Sequence, residues 1–259
     1  MTTAATTPPT FSGDELVEFL SLIKESDSVE LKLTVPEPHQ RGTLASLGVD
    51  PLQAQIRQVY FFDTPDLALD KRGVVVRARR IQGKGDDSVV KLRPVVPSAI
   101  PEELRRSAGF RVEVDALPGG FVCSGTLKGV PRADVRTIVT ENGPLKKLFS
   151  KEQRAYYAAH VPDGPAIDEL TTLGPIFVLK AAFTPRDFAR KLVAEIWLYP
   201  DGSRVLELST RCATSEAFQV AAEARAFLAS HNVDVSGEQQ TKTRKALEFF
   251  AGEHKKKVS

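Results

Sequence analysis

The chain has 259 residues and a 42% hydrophobic content, enough to bury the core of one large domain or two small ones. Its 35 Lys and Arg nearly balance 33 Asp and Glu, for a net charge of +2, so any basic surface is local and bulk nucleic-acid binding is not implied. A run of about 18 apolar residues occurs nowhere, which excludes an ordinary membrane-spanning helix, and two cysteines, Cys123 and Cys212, without a CxxC pair suit a reducing cytoplasm.

Residues 1–13 open on Thr, Ala and Pro with neither a basic start nor an apolar core, and read as a disordered tail instead of a signal peptide. Helical spacing of Leu16, Phe19, Leu20 and Ile23 predicts a helix over 14–24, with Ser12 or Asp14 as its cap. A strand is predicted over 29–35, stopped by Pro36, and a short helix over 41–47 closed by Gly48. Further strands are predicted over 56–62, 74–81, 88–95 and 110–116, the middle two joined as a hairpin across a Gly-rich tip. Residues 135–140 read as one more strand.

Pro144 suits a first helical position, and an apolar stripe runs from Leu145 to His160. Strands follow over 176–183, 191–199 and 204–211. The clearest helix spans 214–229, with Thr214 as cap and Phe218, Ala221, Ala222 and Phe227 for its buried face. A last helix covers 239–250, and residues 253–259 form a Lys-rich tail. No solenoid repeat or internal linker divides 14–252, so the strand-rich halves are expected to complete one domain, α+β and mainly antiparallel. About eight such strands with flanking helices can close into a barrel, which removes exposed edges.

Side chains two apart on a strand share a face. Arg77 and Arg79 alternate with Val76 and Ala78, Glu30 and Lys32 with Leu31 and Leu33, and Lys91 and Arg93 with Val90 and Leu92. The same habit returns in Arg111, Glu113 and Asp115, and again in Glu207 and Arg211 across Ser209. A solvated sheet face explains any one of these residues, whereas the concentration of charge on successive strands points to a site. Turned inward, so many cations need a polyanion, a metal or water beside them. Phosphate chains meet that need, because Arg offers forked donors, Lys a point charge, and carboxylates can hold Mg²⁺ or Mn²⁺.

Other chemistries find no motif. The four histidines, His39, His160, His231 and His254, are scattered, HExxH is absent, and so are the Gly-rich phosphate loops of P-loop and Rossmann proteins. RNA binding through 71–84 lacks interleaved aromatic residues and would require the basic face outside.

Three stretches carry a resemblance. They are Ser28-Val-Glu30-Leu-Lys32; the segment from Tyr60-Phe-Phe-Asp-Thr-Pro to Gly73-Val-Val-Val-Arg77-Ala-Arg79; and Lys91-Leu-Arg93 with Arg111-Val-Glu113. Over residues 26–250 the chain resembles the CYTH, or triphosphate tunnel metalloenzyme, superfamily, which includes inorganic triphosphatases, thiamine triphosphatases and a class of adenylyl cyclase. The resemblance implies an antiparallel tunnel of eight strands, with Lys32, Arg77 and Arg186 as catalytic cations. Lys32, Arg77, Arg79, Lys91, Arg93, Arg111, Arg186 and Lys242 would hold the phosphates, and Glu30, Glu113 and Glu207 a Mg²⁺ or Mn²⁺ ion. Ser28 and Ser209 stand where the family carries acids, and Tyr199 where it carries an aspartate that Asp201 could replace. The implied partners are tripolyphosphate or a nucleoside or thiamine triphosphate. A metal-dependent triphosphatase, a non-catalytic polyphosphate- or nucleotide-binding module and a cyclase-like enzyme all remain open.

Overall fold

The computed structural model describes residues 12–235, 239 and 242–258. The N-terminal tail up to residue 11, residues 240 and 241 of the expected last helix, and Ser259 lie outside the described residues. The described residues form nine strands: β1 (Ser28–Val35), β2 (Gln55–Asp63), β3 (Val74–Ile81), β4 (Asp87–Leu92), β5 (Phe110–Leu117), β6 (Gly120–Gly129), β7 (Thr171–Phe183), β8 (Leu192–Leu198) and β9 (Arg204–Cys212). They close into a barrel in the order β1-β5-β6-β4-β3-β2-β7-β8-β9. The helices are α1 (Gly13–Lys24), α2 (Gln40–Ser46), α3 (Ala68–Lys71), α4 (Glu102–Arg105), α5 (Val135–Thr140), α6 (Lys151–His160), α7 (Ala217–Ser230) and α8 (Lys242–Val258).

The expected closed tunnel with flanking helices is therefore present, with nine strands in place of eight. The added strand is β6, which follows β5 through a turn at Gly119 and carries the sheet on to β4. One pairing is parallel, β1 with β5, because nine strands, an odd number, cannot alternate in direction all the way round a closed barrel. Residues 135–140, expected as a strand, form α5. The Asp134 side chain accepts from the Thr137 amide at 2.7 Å, and that cap outweighs the β-branched composition.

The other helices start where caps allow. Ser12 and Glu15 form a reciprocal capping box on α1. The expected stripe from Pro144 to His160 divides into a 3-10 turn, Leu145–Leu148, and α6, which restarts at the Ser150 cap. Residues Thr214–Glu216 are a 3-10 turn ahead of α7, whose buried face is Ala217, Val220 and Phe227; Phe218 is 49% exposed. The Lys-rich segment from 253 continues α8 to Val258. Both cysteines are buried and free. Among the described residues no helix is long and apolar enough to cross a membrane.

Apolar side chains lie mainly on the outside of the barrel, under the helices. Val76, Ala78, Val90, Val112 and Val114 pack with Phe19 and Ile23 of α1, Ile138 of α5 and Tyr156 of α6. Leu33, Leu192, Leu206 and Leu208 pack with Phe227 of α7. The inward faces divide into two zones. At one end Phe61, Val75, Trp197 and Tyr199 meet Ala246, Leu247 and Phe250, so α8 seals that end with apolar contacts. Beyond it the inward residues are charged.

Candidate functional site

Strand alternation places the charges inside. Val76 and Ala78 point out to the core, so Arg77 and Arg79 point in, and the same rule turns Glu30, Lys32, Lys91, Glu113, Asp115 and Glu207 inward. They line a cavity of about 530 Å³. Arg57 on β2, Lys180 on β7, Glu195 on β8 and Lys128 on β6 join them, with Arg211, Arg93 and Arg111. Eleven lining residues are Lys or Arg and five are Asp or Glu, an excess of six positive charges.

The carboxylates are shared among cations. Asp115 lies 2.9 Å from the Lys32 ammonium and 3.1 Å from that of Lys91. Burial alone would raise the Asp115 carboxyl, but Lys91 and Lys32 outweigh it and hold it well below the carboxylate range. Burial pushes Lys32 down, yet Asp115, Glu30 and Glu207 together raise it far above an ordinary lysine. For Lys91, burial with Lys32 and Arg77 nearby prevails, and its value is lowered. Arg211 reaches Glu113 at 2.8 Å and Glu30 at 3.4 Å. Arg79 donates twice to Asp87, at 2.7 and 2.6 Å, and Asp87 also meets Lys128 at 3.1 Å. Arg93 lies 3.7 Å from Asp70.

Arg77 differs from these. Among the described residues no carboxylate lies within 4.0 Å of its guanidinium, and its Nε is buried without a hydrogen-bond partner. Burial, and then Arg79, push Arg77 down to about 10. The buried Thr126 hydroxyl on the cavity wall also lacks a partner. These are donors without an acceptor, the state that an anion would relieve.

Lys32, Arg77, Arg79, Lys91, Arg93, Arg111 and Lys242 are thus brought to one cavity. Arg186 is not: β7 ends at Phe183, the chain leaves the ladder, and Arg186 is exposed in the following loop. Its expected catalytic and phosphate-binding place inside the barrel is corrected accordingly. Glu30, Glu113 and Glu207 all line the cavity, yet among the described residues no three His, Cys, Asp or Glu side chains form a group that could hold a metal ion. Each acid is bound instead by Lys or Arg, so the donor set as it stands does not fit Mg²⁺ or Mn²⁺. Tyr199 is buried against α8, its hydroxyl 3.4 Å from the Lys242 carbonyl, and exposed Asp201 accepts from the Ser203 amide. The inward acid of β8 is Glu195, the register partner of Glu207. Glu195, Lys180, Arg57 and Lys128 were not legible as site residues, because each is the lone inward charge in its strand segment. Position on a face shared with Trp197 was the one signal for Glu195.

No family model matches the sequence, and no curated protein matches it. Solved structures do. One is an adenylyl cyclase candidate from Hippeastrum with a dominant triphosphatase activity, 16% identical, covering 82% of this chain and 91% of its own, with a TM-score of 0.58. Another is an adenylate cyclase candidate from Bacillus halodurans, 14% identical, covering 85% of this chain and 97% of its own, with a TM-score of 0.57. At such identities the likeness is one of fold alone.

Proposed function

We propose that the cavity binds compounds carrying a triphosphate or longer phosphate chain. The observation that carries this reading is excess positive charge: six more cations than acids line the cavity, Asp87 and Asp70 beside the wall offset two of them, and among the described residues Arg77 has no carboxylate within ion-pair distance. A phosphate chain supplies the missing negative charge along a line, and its oxygens accept from forked Arg donors and from Lys ammonium groups. Arg77 and Thr126 offer donors with no competing partner, whereas Arg79, Lys32 and Lys91 are pre-set by Asp87 and Asp115.

Calorimetric titration with tripolyphosphate in EDTA tests this. Binding is expected to persist without metal and to weaken in Arg77→Ala. Absence of binding by the folded protein would sink the reading.

A second reading, hydrolysis of the bound chain, is supported by the dominant triphosphatase activity of the Hippeastrum protein on the same fold. In that reaction water adds to the terminal phosphorus, the bridging P–O bond breaks, and the leaving diphosphate carries the electron pair. Lys32, Lys91 and Arg77 would hold the chain in line and neutralise the departing charge. Phosphate release from tripolyphosphate, ATP and thiamine triphosphate, compared with and without Mg²⁺ or Mn²⁺, separates an enzyme from a binding module.

A further inference from the structure

Glu195 and Glu207 face each other across adjacent strands, and both line the cavity. Two carboxylates so placed repel each other unless a cation lies between them. The Lys242 ammonium does: it lies 2.6 Å from Glu207 and is hydrogen-bonded to Glu195, with its Nζ 5.3 Å from the centre of the Trp197 ring. The other Glu195 oxygen meets Lys180 at 3.0 Å, so two lysines balance two acids.

We propose that the Lys242 ammonium is the resident cation of this acid pair, occupying the place a divalent ion would otherwise take, so that the cavity receives phosphate chains without metal. The ammonium arrives on α8, which is anchored by Ala246, Leu247 and Phe250 in the sealed end of the barrel. A cation tethered to a packed helix acts at high effective concentration, and a metal must displace it before reaching either carboxylate. Burial pulls the Lys242 ammonium down, but Glu195 and Glu207 outweigh it and keep it protonated. On the reading of the cavity as a phosphate site, Lys242 cancels the two acids that would repel the chain, while Arg77 and its neighbours take the oxygens.

Trp197 is the single tryptophan of the chain and lies against Lys242, so its indole N–H resonance reports on this spot alone. The test titrates Mn²⁺, without phosphate, into the full chain and reads broadening of that resonance together with free Mn²⁺ by electron paramagnetic resonance. Wild type and Lys242→Arg are expected to leave the signal sharp. Lys242→Met is expected to gain a site at least about ten-fold tighter than any in wild type, and Lys242→Met with Glu195→Gln to lose it. A folded Lys242→Met that binds no better than wild type overturns the proposal. If that variant does not fold, wild type decides: broadening of its Trp197 signal overturns the proposal, and a sharp signal at saturating Mn²⁺ supports it. Because phosphate is absent, this outcome is separate from whether tripolyphosphate binds.

Discussion

Arg77 carries a charge that the folded protein does not neutralise, and the consequence is opposite for stability and for binding. Its folded value of about 10 lies below that of an ordinary arginine, so folding disfavours the cation at every pH below about 10, and the cost is relieved only above it. Arg77→Met is therefore expected to raise the melting temperature of the ligand-free protein. The same change should weaken tripolyphosphate by about 1.5–3 kcal/mol, the scale of a charge-assisted hydrogen bond. Scanning calorimetry and titration read the two signs, and a variant less stable than wild type would show that Arg77 has a partner in solution. Asp115 has the reverse role, since its carboxylate holds both Lys32 and Lys91. Asp115→Asn is expected to cost about 3–5 kcal/mol near pH 7, as for a buried ion pair with one partner removed. Its folded value is depressed below 3.8, so this stability is complete above about pH 4 and drains away as pH falls towards the folded value. Urea unfolding of both proteins from pH 7 to acid checks the window. The inward cations were legible because alternation with Val and Ala marks a face within one strand. Which carboxylate each would pair with was not, because Lys32 with Asp115 joins two strands through their register and Lys242 with Glu195 joins a helix to a strand through packing.

At the scale of elements, α6 shows how a helix outside the barrel fixes the wall inside it. Gln153 is fully buried, its amide donating to the carbonyls of Ser88 on β4 and Leu127 on β6, both at 3.1 Å. Its oxygen accepts from the Ser88 hydroxyl at 3.0 Å and the Ser150 amide at 2.9 Å. Gln153→Leu leaves these groups unpaired and is expected to destabilise the protein by about 2–4 kcal/mol, while tripolyphosphate affinity stays within about two-fold of wild type. Unaltered stability on urea titration would contradict the bridging role. The close seating of α6 also explains why β6 was hidden. A Cβ at Gly129 would come within 2.5 Å of the Gln153 side chain, and one at Gly125 within 2.8 Å of the Tyr156 hydroxyl. Glycines needed for this approach remove the β-branched residues by which a strand is read. The long alternating strands needed no such contact, and β1, β3 and β9 lie close to where periodicity puts them.

Over the whole molecule, charge is separated. The chain carries +2 and its cavity walls +6, so the remaining residues sum to −4. The field that attracts an anion is therefore focused into the barrel, and the exterior offers no excess positive charge for RNA. This separation also bears on which phosphate compound is preferred. A nucleoside requires a surface for its base, and stacking on an aromatic ring contributes roughly 1–3 kcal/mol. Among the described residues the one aromatic side chain on the cavity wall is Trp197, which is 2% exposed and covered by Lys242. Its face is not open to a base, so ATP keeps only its phosphate contacts and has one ionisable oxygen fewer than tripolyphosphate. Tripolyphosphate is expected to bind about ten-fold more tightly than ATP, a difference of about 1.4 kcal/mol. Because that preference is electrostatic, it should narrow as salt rises from about 50 to about 300 mM, where the screening length is shorter. Competition calorimetry at the two salt concentrations measures both effects. ATP binding as tightly as tripolyphosphate, with no salt dependence in the ratio, would mean that the protein recognises the base and that Lys242 uncovers Trp197 to do so.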